Sequence, residues 1–492
     1  MDDPQAHLRR GFNWLGGAAV VVKIIDLATQ LAVLLFLGKQ QVGIAALVLA
    51  IGTVVEAFDG LGAREALVQA RTVSRAQLDT LFWFITGAAL LAGLLVLLAA
   101  PWIGSFYGVA GMAVYFVAIA AKQPIAGASL IPLAMMSRDL QYERLAMVSV
   151  GATLGAALTR LGLAVAGAGV WALVLGFVAS GLFTLIGAQI ARPFRPRFRF
   201  RIGEIAPLVR FGTRAAAWNF LDQSFNNVHF LLVGWLYGPA ELAVYRVAFT
   251  VAMEPALAVG TLINRTALPV FARAALLEAQ LVRSLQWSLR RLAVLVVPLV
   301  AATMLAAGPI TALIHDRRGH SYAAAAWPLA WLAAAALLRV TAQTLIPVVI
   351  GTGRPGVAAR LSAIMLLVLG AGLVVAGALV PVRTGLVAVA AVWVAVYPPL
   401  LFWESRYLRR HWRIGAGALA RAFLAPSIGA LGLVGCAAAA GLVIGRGEPG
   451  LRLAAILIAA ALTYAGLFAH ARRRAVVEPA GSQSPPMGRD AP

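Results

Sequence analysis

Cysteine occurs once in this sequence, at Cys436 inside an apolar run, which leaves no intramolecular disulfide and no thiolate metal cluster. Charge is scarce as well: Asp, Glu, Lys and Arg supply 12% of 492 residues, about half the share usual in a soluble domain. No Gly-x-x-x-x-Gly-Lys-Ser/Thr loop is present, so the chain has no phosphate cradle for ATP and is not by itself an ATP-binding cassette exporter. His-Glu-x-x-His and Gly-x-Ser-x-Gly elements are missing, and no polar stretch is long enough for a nucleotide-sugar domain. These gaps point away from metal and hydrolase chemistry, and no cofactor is expected. Met1-Asp2-Asp3-Pro4 offers neither a basic n-region nor a small-residue cleavage site, so the first apolar segment is expected to persist as a membrane helix.

What is abundant is hydrophobicity. Apolar residues make up 61% of the chain, and the mean hydropathy is +0.86. The composition belongs to a protein that lives in lipid. A formal charge of +22 raises the question of nucleic acid. The arginines, however, sit in short blocks between apolar stretches rather than on an aromatic-interleaved surface, so the charge reads as a topology signal and no nucleic-acid partner is expected.

A hydrocarbon core of about 30 Å takes roughly 20 helical residues. Such segments fall near residues 12–37, 42–62, 79–100, 112–136, 145–168, 170–191, 207–236, 240–265, 285–307, 323–350, 356–379, 384–404, 419–444 and 451–470. The expected fold class is an all-α polytopic membrane protein of about 14 transmembrane helices. Arg9, Arg10, Arg64, Arg138, Arg144, the Arg192 to Arg201 cluster, Arg290, Arg409 and Arg410 all fall on one side, while Lys39, Arg317, Arg318 and Arg383 fall on the other. The positive-inside rule makes the rich side cytoplasmic and places both termini there.

The chain repeats itself. Arg10-Gly11-Phe12 answers Arg210-Phe211-Gly212, Leu37-Gly38 answers Tyr237-Gly238, and Ala63-Arg64 answers Asn264-Arg265, at a spacing of roughly 200 residues. Six spans per copy is an even number, so the copies share one orientation. The expected organisation is an N-terminal six-helix lobe at 8–191, a basic cytoplasmic linker at 192–206, a C-terminal six-helix lobe at 207–405, two additional helices at 406–471 and a disordered tail at 472–492. The linker alternates Arg with apolar residues from Arg192 to Arg201, which suits either contact with anionic headgroups or a plain topology-setting connection.

Polar residues enter the spans in a pattern. Lys23, Asp26 and Gln30 share one face of the first span, while Asn219, Asp222, Gln223, Asn226 and His229 form a stripe on the seventh. At the repeat offset Lys23 matches Gln223 and Asp26 matches Asn226, so both copies carry polarity at one depth of the same helix. Ionisable groups near the bilayer centre usually face a protein interior or a water-filled cavity. Spans one and seven are therefore expected to line a cavity between the lobes. Lys122 in the fourth span, Arg160 in the fifth, Arg339 in the tenth, and Arg246, Thr250 and Glu254 at every fourth residue of the eighth are further candidates. The plainer reading stands beside each: Lys23 with Asp26, or Arg246 with Glu254, neutralise one another and fix helix packing. His229 reads as a packing residue.

Several ordered motifs carry a family resemblance. They are Ala66-Leu67-Val68-Gln69, Leu81-Phe82-Trp83, Ala100-Pro101-Trp102-Ile103, Phe106-Tyr107-Gly108, Val170-Trp171-Ala172-Leu173-Val174-Leu175-Gly176, Leu208-Val209-Arg210-Phe211-Gly212 and Gly351-Thr352-Gly353-Arg354-Pro355. In this order, from about residue 8 to residue 412, the chain resembles the Wzx-type oligosaccharide flippases of the multidrug/oligosaccharidyl-lipid/polysaccharide exporter superfamily. The resemblance implies two six-helix bundles with two further helices, in a bacterial inner membrane. It implies, by alternating access, transfer of an undecaprenyl-diphosphate-linked oligosaccharide from the cytoplasmic to the outer leaflet. Membrane lipids, a polysaccharide polymerase and glycosyltransferases are the implied partners, and the implied role is transport rather than catalysis. On that reading Lys23, Lys122, Arg160, Arg246 and Arg339 attract the diphosphate, and Asp26, Asn219, Asp222, Gln223, Asn226 and Glu254 supply cavity polarity or ion coupling. A cation-coupled multidrug or metabolite exporter and a lipid II flippase are alternatives within the superfamily. An intramembrane glycan ligase is the alternative of another class.

Overall fold

The computed structural model describes residues 4–57, 60–70, 72–274, 278–351, 355–412, 416–444 and 448–477. Every regular element of any length among them is a helix: α1 (Pro4–Leu34), α2 (Lys39–Glu56), the short α3 (Ala63–Gln69), α4 (Arg75–Phe106), α5 (Tyr115–Arg138), α6 (Tyr142–Val165), α7 (Val170–Ala191), α8 (Ile202–Ala274), α9 (Glu278–Leu313), α10 (Ala326–Gly351), α11 (Pro355–Leu379), α12 (Val382–Trp412), α13 (Ala416–Ile444) and α14 (Pro449–Val477).

An unbroken helix of 73 residues would be about 110 Å long, several times the hydrocarbon thickness. α8 instead folds back at Gly238, whose φ of 81° and ψ of 172° are not helical and are open to glycine at little steric cost. Side chains from the two arms meet across the turn: the Tyr245 hydroxyl lies 3.1 Å from His229 Nδ1, and Phe249 stacks on the His229 ring at 4.5 Å. Twelve segments, with α8 taken whole, are long and apolar enough to span a bilayer. With the two arms of α8 taken separately and α13 added, the described residues make fourteen passages. They form two six-helix halves, α1–α7 and α8–α12, followed by the α13 and α14 pair, which packs on α9.

Local signals explain several boundaries. Ser74 and Gln77 form a reciprocal capping box at the start of α4, with Ser74 Oγ accepting from Gln77 N at 3.2 Å and Gln77 Oε1 accepting from Ser74 N at 2.9 Å. α14 continues to Val477, so residues 472–477, expected in the tail, are helical, while the rest of the tail lies outside the described residues. The linker after α7 lies along the start of α4. Trp83 Nε1 donates to the Arg197 carbonyl at 3.0 Å, Asp79 accepts from Arg197 N at 3.2 Å, and Thr80 accepts from Arg201 N at 3.3 Å. Phe194 is buried against Phe82 in the same cluster. Phe198 is 94% exposed, with its ring centroid 4.4 Å from that of Trp83.

Lipid offers no hydrophobic gain for helix association, so small residues and shape carry it. The seam between the halves shows this at both ends. On the arginine-poor face, a Cβ on Gly43 of α2 would overlap the carbonyl of Pro239 in α8. On the arginine-rich face, a Cβ on Gly62 would overlap the Gly212 carbonyl. Lys39 adds a polar tie on the arginine-poor face, donating to the Ser321 carbonyl at 2.8 Å in the hairpin between α9 and α10. One buried cluster runs continuously from Val33, Leu37 and Leu47 in the first half to Phe230, Tyr245 and Trp393 in the second. The halves therefore meet closely at both ends of the seam.

Candidate substrate cavity

Between these two contacts lies a cavity of about 340 Å³, walled by α1, α2, α6, α7, both arms of α8, and α10. Its chemistry is uneven. Arg160, Arg246 and Arg339 bring three guanidinium groups to the wall, and Glu254 is the single carboxylate there among the described residues. Gln30, Thr53, Asn226, Asn227 and Thr250 add neutral hydrogen-bonding groups.

The charges are arranged differently from the simplest sequence pairings. Lys23 forms an ion pair with Glu254, 231 residues away on the second arm of α8. Asp26 accepts from Arg160 Nη1 of α6 at 3.3 Å. Lys23 and Asp26 share a face of α1 but are claimed by different helices, and Arg246 forms no ion pair with Glu254. Arg246 instead stands over the Phe230 ring, 4.6 Å from its centroid. Thr250 donates toward both Gln30 and Glu254, each at 3.4 Å, and so joins α8 to α1 a second time.

Arg339 is the most constrained of these groups. It is 1% exposed, and its guanidinium carbon lies 5.2 Å from the centroids of both Phe225 and Trp393. Nη2 donates to Asn226 Oδ1. Nε and Nη1 find no acceptor among the described residues. A buried donor without an acceptor costs about 1–3 kcal/mol, more when charged, so an acceptor brought to these two donors would be stabilising.

Lys23 and Asp26, expected on the cavity wall, do not line it and reach it only through their partners Glu254 and Arg160, and the remaining candidates lie elsewhere. Lys122 is buried inside the first half, paired with Glu56, its ammonium 3.1 Å from the centroid of Phe177. Phe177 contributes to the cavity wall, and Lys122 stands behind it. Asp222 lines a separate cavity of about 410 Å³ between α8, α10, α11 and α12, together with Trp218 and Asn264. Its carboxylate accepts from Asn226 Nδ2 at 3.1 Å, which connects the two cavities. Asn219 and Gln223 are half-buried and line neither. His229 is fully buried in an aromatic cage and packs between Phe230, Phe249, Tyr245 and Trp393. Asn227 and Phe177 reach the central cavity without having been singled out in sequence. Asn227 is one position beyond Asn226, about 100° around the helix, and a neutral aromatic such as Phe177 carries no signal against an apolar span.

Two interlocked six-helix halves around a charged central cavity define a polytopic membrane protein with a transporter-type fold. The chain belongs to the polysaccharide biosynthesis protein family, which matches residues 34–322. It is 23% identical over 276 residues to the lipopolysaccharide biosynthesis protein WzxC of Escherichia coli (strain K12), covering 54% of each chain. It is 22% identical over 220 residues to the teichuronic acid biosynthesis protein TuaB of Bacillus subtilis (strain 168), covering 44% of each. These matches span about half the length of either relative. In fold it is similar to the lipid II flippase MurJ in an inward closed conformation, with a TM-score of 0.75 at 12% identity over 94% of this chain and 99% of that one. A multidrug resistance transporter of the MATE family in an inward-facing conformation follows at 0.64, with 13% identity over 80% of this chain and 98% of that one.

Proposed function

We propose that this protein is a flippase that carries an undecaprenyl-diphosphate-linked oligosaccharide from the cytoplasmic to the outer leaflet of a bacterial inner membrane, by alternating access. The observation that carries the reading is Arg339, held rigid between two aromatic rings with two donors unused on the wall of a cavity rich in guanidinium groups. A diphosphate presents several anionic oxygens to such donors, and a charged headgroup crossing a low-dielectric layer needs this compensation. The neutral amides and hydroxyls of Gln30, Asn226, Asn227 and Thr250 suit the hydroxyls of a sugar. The isoprenoid tail stays in the bilayer while the headgroup passes between the halves.

At about 340 Å³ the cavity is near the small end for ligand sites. A complete oligosaccharide requires the halves to part. Closed contacts at Gly43–Pro239 and Gly62–Gly212 fit a state between the two open ones. On this reading the lobes comprise 8–191 and 207–405, both termini are cytoplasmic by the arginine distribution, and a polymerase and glycosyltransferases act on either side of the transfer step. A multidrug exporter shares the fold but fits less well, because a cationic drug would meet Arg160, Arg246 and Arg339.

Purified protein in liposomes should move a fluorescent undecaprenyl-diphosphate oligosaccharide from one leaflet to the other, without forming a covalent product. Transfer no faster than in protein-free liposomes, or normal outer-leaflet delivery in a deletion strain, would overturn the assignment.

A further inference from the structure

Glu254 is at odds with its surroundings. A cavity suited to an anion gains nothing from a carboxylate on its wall, yet Glu254 lies there among three arginines. Its position gives it a second character. Glu254 belongs to the second half and Lys23 to the first, and theirs is the one ion pair bridging α1–α7 and α8–α12 among the described residues. Both side chains are part-exposed, at 33% and 17%, and Glu254 lies on the cavity wall, so solutes there can reach its carboxylate.

We infer that Glu254 is a resident counter-anion and latch, which a diphosphate displaces from Lys23 on binding. This rests on the diphosphate reading above and adds the link between binding and movement. While the cavity holds no diphosphate, the carboxylate neutralises Lys23 and the ion pair holds the halves together. An arriving diphosphate offers more negative charge to the same ammonium group, and once Lys23 turns to it the one ion pair across the seam among the described residues is gone. The Thr250–Gln30 contact at 3.4 Å is too long and weak to replace the pair at the cavity, and the Lys39–Ser321 tie and the glycine contacts lie away from it at the ends of the seam. Closing and binding then compete for one ammonium group: removing the carboxylate frees Lys23 and strengthens binding, whereas removing the ammonium releases the latch and a ligand contact together.

The test uses the full chain in nanodiscs, with the native cysteine replaced (Cys436→Ser), spin labels at Ser105 and Ala324, one on each half, and farnesyl diphosphate as the probe. Farnesyl diphosphate should lengthen the label separation in the otherwise unaltered chain. Glu254→Gln should show the long separation without probe and bind the probe about tenfold more tightly. Lys23→Gln should also show the long separation but bind no more tightly. The charge exchange Lys23→Glu with Glu254→Lys should restore the short one. That rescue also separates loss of the latch from loss of folding. If the single variants keep the short separation while Arg339→Gln weakens probe binding, the latch is overturned and the diphosphate reading stands. If the unaltered chain does not bind farnesyl diphosphate, the diphosphate reading falls and the counter-anion role with it.

Discussion

Gly43 and Pro239 meet backbone to backbone at one end of the seam between the halves, with no room for a Cβ, as Gly62 and Gly212 do at the other. The two contacts lie on opposite faces of the membrane and bracket the charged cavity. Gly43→Ala should hold its end apart and cost about 1–3 kcal/mol of stability in the closed state, as overpacking commonly does. Gly62→Ala should cost more, because Gly62 also has a φ of 71°, a conformation that strains other L-residues by roughly 1–2 kcal/mol. Thermal unfolding in detergent, alongside cross-linking of cysteine pairs placed at each end, checks both. Cross-linking unchanged in both variants would show that neither contact governs closure.

Arg339→Lys should not rescue Arg339→Gln. A lysine keeps the charge but loses the planar fork that spans Asn226 and leaves two donors for a ligand. Both variants should weaken farnesyl diphosphate binding by about ten- to a hundredfold, the equivalent of one charged hydrogen bond or more. Calorimetry on protein in nanodiscs measures it, and near-native affinity in the lysine variant would reduce Arg339 to a point charge.

Tyr245→Phe separates architecture from binding. The hydroxyl lies between His229 Nδ1 at 3.1 Å and Trp393 Nε1, which donates to it at 2.9 Å. Its removal strands buried polar groups, at a cost of about 1–3 kcal/mol. The melting temperature should fall while probe affinity in the folded protein stays within about twofold. A large loss of affinity at unchanged stability would place this network in the site itself.

The hairpin between α9 and α10 should loosen in acid. Burial alone would raise the Asp316 carboxyl, but hydrogen bonds from the backbone N–H groups of His320 and Arg318 and from the His320 ring hold it below the ordinary carboxylate value. A depressed value in the folded state means the carboxylate stabilises the hairpin above its unfolded pKa of about 3.9, and that this contribution is lost as pH falls through the lower folded value. Hydrogen exchange of residues 314–322 should therefore show reduced protection below that range, after allowance for the intrinsic rate. Asp316→Asn should show it at neutral pH already. Equal protection in the variant at pH 7 would remove Asp316 from this role.

The span count, the internal repeat and the every-fourth-residue line of Arg246, Thr250 and Glu254 were legible because helical periodicity and hydropathy are local. Partnerships were not. Lys23 and Asp26 sit on one face of α1, and nothing in that spacing says that one reaches α8 and the other α6. The stripe from Asn219 to Asn226 covers a broad arc of its helix, wide enough that Asp222 opens into one cavity and Asn226 into another. Lys122 was placed at a plausible depth, but depth does not distinguish the middle of a six-helix half from the space between two halves. Glu56, the last residue of α2, is what claims it.

The linker's attachment to α4 sets the mechanics of any rocking. Its backbone is fastened at Arg197 and Arg201 to Asp79, Thr80 and Trp83, and Gln77 donates to the Glu204 carbonyl at 3.1 Å in the first turn of α8. Ten residues that would otherwise be a loose tether are thus part of the first half, and the first turns of α8 are held there with them through Glu204 and Ile205. A connection that short and that firmly anchored acts as a pivot: it permits the second half to swing through an angle but resists sliding, so the largest displacements fall at the opposite membrane face, where Gly43 meets Pro239.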